Sequence, residues 1–141
     1  GGAIEAPVIM SSDRPLAPGM KYRHYAPQAP LTLYLGNQDK IRSLLRQTLL
    51  DEIKNGNKVA VLAYEEDRAI LPWDNSGVFF YSLGEQAHPQ VAAEHLFSYL
   101  RLCDQERVDK IYAVAPTRRG LGSAVFNRLW KAAGGNVVEV G

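Results

Sequence analysis

The chain of 141 residues is long enough for one domain with its own hydrophobic core, and 46% hydrophobic with 22% charged residues is typical of soluble globular proteins. Its longest apolar run, residues 59–64, is far shorter than the roughly 20 residues of a membrane helix. The N-terminal residues also lack the basic and apolar regions of a signal peptide. We therefore expect a cytoplasmic protein with no membrane partner.

The net charge of +1 arises within the first 30 residues, and the rest of the chain is balanced. Three of the 16 basic and two of the 15 acidic residues lie in the first 30 positions, so the remaining 111 residues carry 13 of each sign. A nucleic-acid-binding domain needs a basic excess to meet the phosphate backbone. The balanced charge of this chain disfavours that class of function.

The first 30 residues differ in composition from the rest. They contain five of the eight prolines and show no sustained helical or alternating pattern. Because proline fixes φ and pushes the preceding residue toward extended conformations, we predict an extended arm at residues 1–30. Residues 31–141 are then predicted to form the domain.

Within the arm, residues 18–27 read Pro-Gly-Met-Lys-Tyr-Arg-His-Tyr-Ala-Pro, the most chemically dense run of the chain. Its five central residues are basic or aromatic: Lys21, Tyr22, Arg23, His24 and Tyr25. An extended backbone sends alternate members of this set to opposite sides. Lysine and arginine suit phosphate groups, and tyrosine and histidine can cover an adenine or a sugar. Two interpretations stay open, a flap that closes over a nucleotide and a linker whose aromatic rings pack on a neighbouring domain.

From residue 31 onward, short apolar strands alternate with amphipathic helices. The predicted strands cover residues 31–35, 58–63, 78–81, 110–115 and 137–140. The apolar faces of the predicted helices span residues 41–53, 92–103 and 125–133, and residues 64–77 are predicted to be a loop. The order βαββαβαβ favours a Rossmann-like α/β fold, with an open, mostly parallel five-stranded sheet and helices on both faces.

The residues that most often bind metals or act as nucleophiles are poorly placed for either role. His88 and His95 are about 10 Å apart along a helix, too far to share one zinc ion. Cys103 falls at an apolar helix position, which predicts a packed thiol. No serine lies in a strand–Gly-x-Ser-x-Gly–helix context. We therefore predict no metal site, redox centre or hydrolytic triad.

The turn after the fourth strand could bind an anion, because it leads into a helix whose free N–H groups and dipole favour negative charge. Its candidate residues are Arg118, Arg119, Gly120, Gly122 and Ser123. The run lacks the third glycine of a dinucleotide fingerprint and does not follow the first strand. Either it binds a nucleotide or RNA phosphate, or it is a glycine turn with solvated arginines.

Residues 17–27, Ala-Pro-Gly-Met-Lys-Tyr-Arg-His-Tyr-Ala-Pro, resemble the interdomain linker of the long, two-domain threonylcarbamoyl-AMP synthases. Residues 120–133, Gly-Leu-Gly-Ser-Ala-Val-Phe-Asn-Arg-Leu-Trp-Lys-Ala-Ala, are similar to the end of that family's C-terminal domain. The two runs bracket almost the whole chain. The resemblance implies a linker and a Rossmann-like C-terminal domain, whose partner is an N-terminal YrdC-like catalytic domain that this chain lacks.

The family makes threonylcarbamoyl-adenylate from L-threonine, bicarbonate and ATP, a nucleotidyl transfer that serves the threonylcarbamoyladenosine modification of tRNA. The resemblance implies that residues 21–25 cover the catalytic pocket and shield its contents from water. It also implies that this chain holds no catalytic residue and no cofactor, whereas the full-length enzyme uses ATP with Mg. We expect the chain alone to be inactive, and its balanced charge disfavours direct tRNA binding. The alternative is a regulatory module that binds a nucleotide or another anion at residues 118–122.

Overall fold

A computed structural model describes residues 26–73, 77–117 and 121–141. These ranges contain five strands and four helices, in the order β1 (Leu31–Gly36), α1 (Gln38–Lys54), β2 (Val59–Ala63), α2 (Glu65–Arg68), β3 (Val78–Ser82), α3 (Pro89–Glu106), β4 (Lys110–Val114), α4 (Leu121–Ala133) and β5 (Val137–Val140). Each predicted strand and each predicted helix is present, with ends that differ by a few residues. The predicted α/β class is confirmed.

The strands form one sheet in the order β3-β2-β4-β1-β5, and every neighbouring pair is parallel. All five residues of β2 are buried, as expected for a parallel strand that has helices over both faces. The two edge strands, β3 and β5, consist mostly of half-buried residues. The core therefore lies around β2, β4 and β1.

The long helices lie on opposite faces of the sheet because the connections reverse direction after β3. Right-handed crossovers place α1 on one face and α3 and α4 on the other. Side-chain contacts agree with this arrangement. Tyr112 of β4 and Tyr81 of β3 pair with consecutive residues of β2, so they point to opposite faces. Tyr112 donates to Glu52 of α1, whereas Tyr81 stacks on Tyr99 of α3.

The prediction of a loop over residues 64–77 was wrong at its start, where α2 forms a single helical turn. The backbone N–H of Tyr64 donates to Asp67 Oδ2 at 2.9 Å, which fixes the entry to this turn. Three acidic residues, Glu65, Glu66 and Asp67, fill the turn and suit the positive end of the helix dipole. Four residues are too few to produce a helical period in the sequence.

Two local features set the carboxyl end of β1. Gly36 adopts φ +119°, and a Cβ there would lie 1.9 Å from the carbonyl oxygen of Val140, so only glycine allows β5 to approach. Asn37 then caps α1, because its Oδ1 accepts from the backbone N–H of Lys40 at 2.9 Å. The chain thus passes from strand to helix within two residues.

Candidate functional site

The described residues next to the two predicted sites lie at opposite ends of the parallel strands. Because all five strands are parallel, their amino ends share one edge and their carboxyl ends share the other. The arm joins β1 at its amino end, whereas the turn at residues 118–120 follows the carboxyl end of β4. A five-residue strand separates the two edges by about 16 Å. Pro30, at the described end of the arm, and Thr117, which precedes this turn, therefore lie at different ends of the strands.

The predicted flap residues Lys21, Tyr22, Arg23, His24 and Tyr25 lie outside the described residues. The last residues of the arm are described, and they are held against the domain. The backbone N–H of Gln28 donates to Asp104 Oδ1 at 2.8 Å, and the carbonyl of Pro30 accepts from Ile111 N at 2.9 Å. These two bonds fix the point where the arm leaves the amino edge.

A groove of about 650 Å³ lies beside this anchor, between the end of the arm and the turn that follows α3. It is lined by Gln28, Ala29, Pro30, Cys103, Asp104, Arg107, Val108 and Asp109. Arg107 ends α3 in the left-handed conformation, with φ 57°. Burial, followed by the charge of Asp104, raises the pKa of Cys103 to about 12. The prediction of a packed thiol is confirmed, and the groove offers no thiolate near neutral pH.

Of the predicted anion site, Arg118, Arg119 and Gly120 lie outside the described residues. Gly122 is buried and Ser123 is exposed, and both lie in the first turn of α4. Thr117, at the near side of the turn, donates to Gln86 Oε1 from its backbone N–H at 3.1 Å and from its hydroxyl at 3.2 Å. The segment that follows β4 is therefore tied, at Thr117, to the loop before α3.

Gln86 lies at the centre of a polar group that we call the switch-point cluster, formed by Gln38, Glu66, Gln86 and Thr117. The backbone N–H of Gln86 donates to the Glu66 carboxylate at 3.1 Å, and its Nε2 is 3.4 Å from Gln38 Oε1. The chain leaves β2 toward β3 and leaves β4 toward β5. The space between the carboxyl ends of β2 and β4 is thus the topological switch point where open α/β sheets bind ligands. Gln86 bridges this space.

The described side of the switch point is acidic. Glu65 is paired with Arg68 at 2.9 Å, and hydrogen bonding from Arg68 lowers the pKa of Glu65 to about 2. The buried Asp67 is paired with Arg42 Nε at 2.7 Å. Glu66 forms no ion pair with any cation in the described ranges. An anion at this point would meet the Glu66 charge, so the anion site remains a prediction that depends on the two arginines.

Tyr64 adds a hydroxyl at the carboxyl end of β2. The side chain is buried, and its hydroxyl has no hydrogen-bond partner within the part of the chain that the structure describes. Burial, together with the nearby charges of Asp67 and Glu66, raises the pKa of Tyr64 far above its ordinary value. The hydroxyl therefore stays protonated and neutral at physiological pH.

A buried charged group lies between the end of α1 and β4, and sequence reasoning missed it. Glu52 is 5% exposed and accepts hydrogen bonds from the Tyr112 hydroxyl, from Asn57 Nδ2 at 2.6 Å and from Lys110 Nζ at 3.0 Å. Burial would raise the pKa of Glu52, but these bonds outweigh it and lower the pKa. A signal was present in the sequence, because Glu52 follows Leu45 and Leu49 on the apolar stripe of α1. We call Glu52, Asn57, Lys110 and Tyr112 the Glu52 network.

The described histidines form exposed pairs with neighbouring glutamates. His88 Nδ1 lies 3.0 Å from Glu85 Oε1, and His95 Nε2 lies 3.7 Å from Glu94 Oε1. Across residues 26–73, 77–117 and 121–141, no group of three or more His, Cys, Asp or Glu side chains could hold a metal ion. None of the described helices is long and apolar enough to cross a bilayer.

Residues 3–134 match the family model described as the C-terminal domain of threonylcarbamoyl-AMP synthase. The chain belongs to this family. It is 37% identical over 128 residues to threonylcarbamoyl-AMP synthase of Bacillus subtilis, covering 91% of this chain and 35% of that protein. It is 38% identical over 130 residues to threonylcarbamoyl-AMP synthase of Pyrococcus abyssi, covering 92% of this chain and 35% of that protein. The chain thus spans about a third of the length of these curated relatives.

Solved structures of the threonylcarbamoyl-AMP synthase family have the same fold. The structure of Pyrococcus abyssi Sua5 complexed with L-threonine matches with a TM-score of 0.68 at 38% identity, covering 89% of this chain and 34% of that one. A variant of the same protein, with a neighbouring histidine and tyrosine replaced by alanine, matches with a TM-score of 0.67 at 32% identity, covering 88% and 33%. The predicted family and its C-terminal domain are confirmed.

Proposed function

We propose that this chain is the accessory C-terminal domain, with the active-site-covering linker, of a threonylcarbamoyl-AMP synthase that serves tRNA modification in the cytoplasm. Residues 1–30 are the linker and residues 31–141 the domain. The observation that carries the proposal is the family match over residues 3–134, which includes the Lys-Tyr-Arg-His-Tyr run. The N-terminal part that the longer relatives possess supplies the catalytic groups, and the chain by itself is inactive.

In this proposal residues 21–25 act on a site formed by the N-terminal part. The two cations contact phosphate groups of ATP, and the aromatic side chains cover the adenylate and exclude water. The hydrogen bonds of Gln28 and Pro30 support this role, because they fix one end of the arm a few residues from the flap. The Pyrococcus abyssi structures add support, since one contains L-threonine and the other lacks a neighbouring His-Tyr pair. His24 and Tyr25 are the only such pair in this sequence.

The substrates follow from the family and not from the described domain. L-threonine, bicarbonate and ATP with Mg bind to the N-terminal part, which transfers the adenylyl group with release of pyrophosphate. Balanced charge argues against a direct contact of this domain with tRNA.

The test uses the longer protein that contains this chain. Arg23→Ala is expected to lower threonylcarbamoyl-adenylate formation at least about tenfold, the size of a lost hydrogen bond to a charged group. Tyr25→Ala is expected to lower it as well, because it uncovers the adenylate to water. Arg14→Ala is the matched control, because it removes an arm cation outside the dense run. Circular dichroism checks that the domain stays folded. Unchanged synthesis in both variants would contradict the flap role.

A nucleotide- or anion-binding regulatory module at residues 118–122 is the second candidate, and it is favoured because this segment follows β4, whose carboxyl end borders the switch point. Calorimetric titration of this chain with ATP, AMP and pyrophosphate tests it directly. Heat that disappears in Arg118→Ala but persists in the exposed control Arg46→Ala supports the module. If millimolar ligand produces no heat of binding, the regulatory module is ruled out.

A further inference from the structure

The strand β3 is an edge of the sheet that carries no charged residue. It pairs with β2 and with no other strand in the described ranges, and its sequence is Val-Phe-Phe-Tyr-Ser. The opposite edge, β5, carries Glu139, a charge of the kind that protects edge strands from pairing. Of the two edges, β3 is therefore the one that lacks this protection.

The backbone of β3 presents unused hydrogen-bonding groups at this edge. The carbonyl of Gly77 accepts from Val59 N at 3.0 Å, and the N–H of Leu83 donates to the carbonyl of Ala63 at 2.7 Å. Alternate residues of a strand direct their backbone groups to the same side. The backbone groups of Val78, Phe80 and Ser82 consequently point away from β2. Of these groups, the Ser82 carbonyl accepts from the Tyr99 hydroxyl at 2.7 Å. The N–H groups of the three residues have no hydrogen-bond partner among the described residues.

Aromatic side chains border this edge on both faces of the sheet. On one face the ring centroids of Trp73 and Phe80 are 5.9 Å apart, and Arg68 Cζ lies 4.8 Å from the centroid of the Phe80 ring. On the other face the ring centroids of Phe79 and Tyr81 are 6.4 Å apart, and Tyr81 stacks on Tyr99 with a centroid distance of 5.1 Å. A groove of about 410 Å³ runs along the strand between them. The edge therefore offers a backbone ladder bordered by aromatic rings, two of which also lie under cations, Phe80 under Arg68 and Phe79 under Lys58 at 5.5 Å.

The position of the arm indicates what docks on β3. The groove along β3 reaches Glu106, in the last turn of α3, and the arm is anchored to Asp104 in the same turn. The described end of the arm therefore leaves the domain beside the same helical turn, and by its relatives the rest of the longer protein, about twice the length of this chain, is tethered through this arm. Such tethering gives an effective concentration in the millimolar range, enough for a modest apolar surface to be occupied.

We propose that an apolar extended segment of the N-terminal part docks on the β3 edge and adds a strand beside it. This inference rests on the proposed function, which places that part in the same chain. Docking there gives the accessory domain a fixed orientation, so that the flap at residues 21–25 starts from a defined position. Two contacts, the anchored arm and the β3 edge, then join the domain to the catalytic part.

Hydrogen exchange read by mass spectrometry tests the docking. Peptides over residues 77–83 are expected to exchange at least about tenfold more slowly in the longer protein than in this chain alone, because a paired amide exchanges only when the interface opens. Peptides over residues 137–141, at the opposite edge, are the internal control and should not change. Equal exchange of residues 77–83 in both proteins overturns the proposal.

Other occupants give different results, and each of them also overturns it. Protection already present in this chain and lost on deletion of residues 1–25 identifies the arm. Protection that grows with protein concentration, with a doubled mass in sedimentation, identifies a second copy. Adenylate formation is measured on the same samples, so an active protein with an unprotected β3 contradicts the docking and leaves the proposed function intact. An inactive protein with a protected β3 contradicts only the proposed function.

A matched pair of variants adds a second measurement. Phe80→Lys and Glu139→Lys each place a lysine on an edge strand, one on β3 and the other on β5. Only Phe80→Lys is expected to return residues 77–83 of the longer protein to the exchange rate of the isolated chain. If Phe80→Lys fails to fold, the comparison of the two unmodified proteins still decides. Retained protection in a folded Phe80→Lys protein counts against the proposal.

Discussion

Removing one hydroxyl from the Glu52 network tests how this part of the fold is stabilised. The Tyr112 hydroxyl donates to the buried Glu52 carboxylate, which also accepts from Asn57 and Lys110. Tyr112→Phe keeps the ring and its contact with Tyr34, whose centroid lies 6.2 Å away, and deletes only this donor. The substitution therefore isolates one charge-assisted hydrogen bond in a buried site.

The expected loss in the free energy of unfolding is about 1.5–2 kcal/mol at pH 7, the lower part of the range for a hydrogen bond to a charged group, because two other donors remain. For a chain of this size it corresponds to a fall of about 5–8 °C in Tm. The loss depends on pH. Since the folded protein holds the pKa of Glu52 below its ordinary value, the carboxylate stabilises the fold above about pH 4.5 and stops doing so as the pH falls through the lowered pKa. The difference between the two proteins should shrink by pH 3.

Urea unfolding at pH 7, 5 and 3 measures this difference. Tyr99→Phe is the matched control, because its hydroxyl donates to a neutral carbonyl, that of Ser82. The control is expected to lose about 0.5–1.5 kcal/mol with no change across this pH range. A Tyr112→Phe protein as stable as the unmodified chain, or one whose loss is the same at pH 7 and pH 3, would refute the reasoning.

Two further predictions concern the backbone and the thiol. Gly36→Ala is expected to cost about 3 kcal/mol or more, because its Cβ would collide with the Val140 carbonyl and φ is +119°. The control Gly56→Ala has open space around its Cβ and a φ of +76°, so chemical unfolding should show a loss of about 1 kcal/mol, and equal losses would contradict the collision. Cys103, buried and with its pKa raised to about 12, should react with Ellman's reagent at pH 8 only in urea. Complete reaction of the native chain within the mixing time would show that the thiol is accessible.

The fold was predictable because its local signals agree with one another. The apolar run of β2 predicts a strand buried on both faces, and Pro89 predicts the first turn of α3, as the structure has them. Gly36 and the Gly134-Gly135 pair punctuate the chain where β1 and α4 end. The strand order was not predictable in the same way, because hydrophobic pattern gives the faces of an element and not its neighbours. The single turn of α2 was missed because four residues are too few to show a helical period in the sequence. The hydrogen bond from the Tyr64 N–H to Asp67, which fixes this turn, leaves no sequence pattern either.

The candidate sites were predictable only in part. The dense arm run and the glycine turn stand out by residue type, whereas the switch-point cluster joins loops that are distant in sequence. Gln86 and Thr117 are 31 residues apart, and Gln86 and Gln38 are 48 apart. None of these side chains belongs to a motif, and their proximity follows from the parallel sheet. Glu52 was detectable as a charge on an apolar stripe, but its partners on β4 were not.

The carboxyl ends of the strands, where the switch point lies, and the amino ends, where the arm is anchored, differ in how readily they can accept a ligand or partner. A ligand that displaced Gln86 from the switch point would break its two hydrogen bonds with Thr117, each with a net value of about 0.5–1.5 kcal/mol. An anion would also approach the Glu66 carboxylate, so Arg118 and Arg119 must offset that charge before any affinity appears. At the amino edge the arm is already anchored, and tethering supplies an effective concentration without a new high-affinity site. The described contacts therefore favour a domain that positions its arm over one that senses a free ligand.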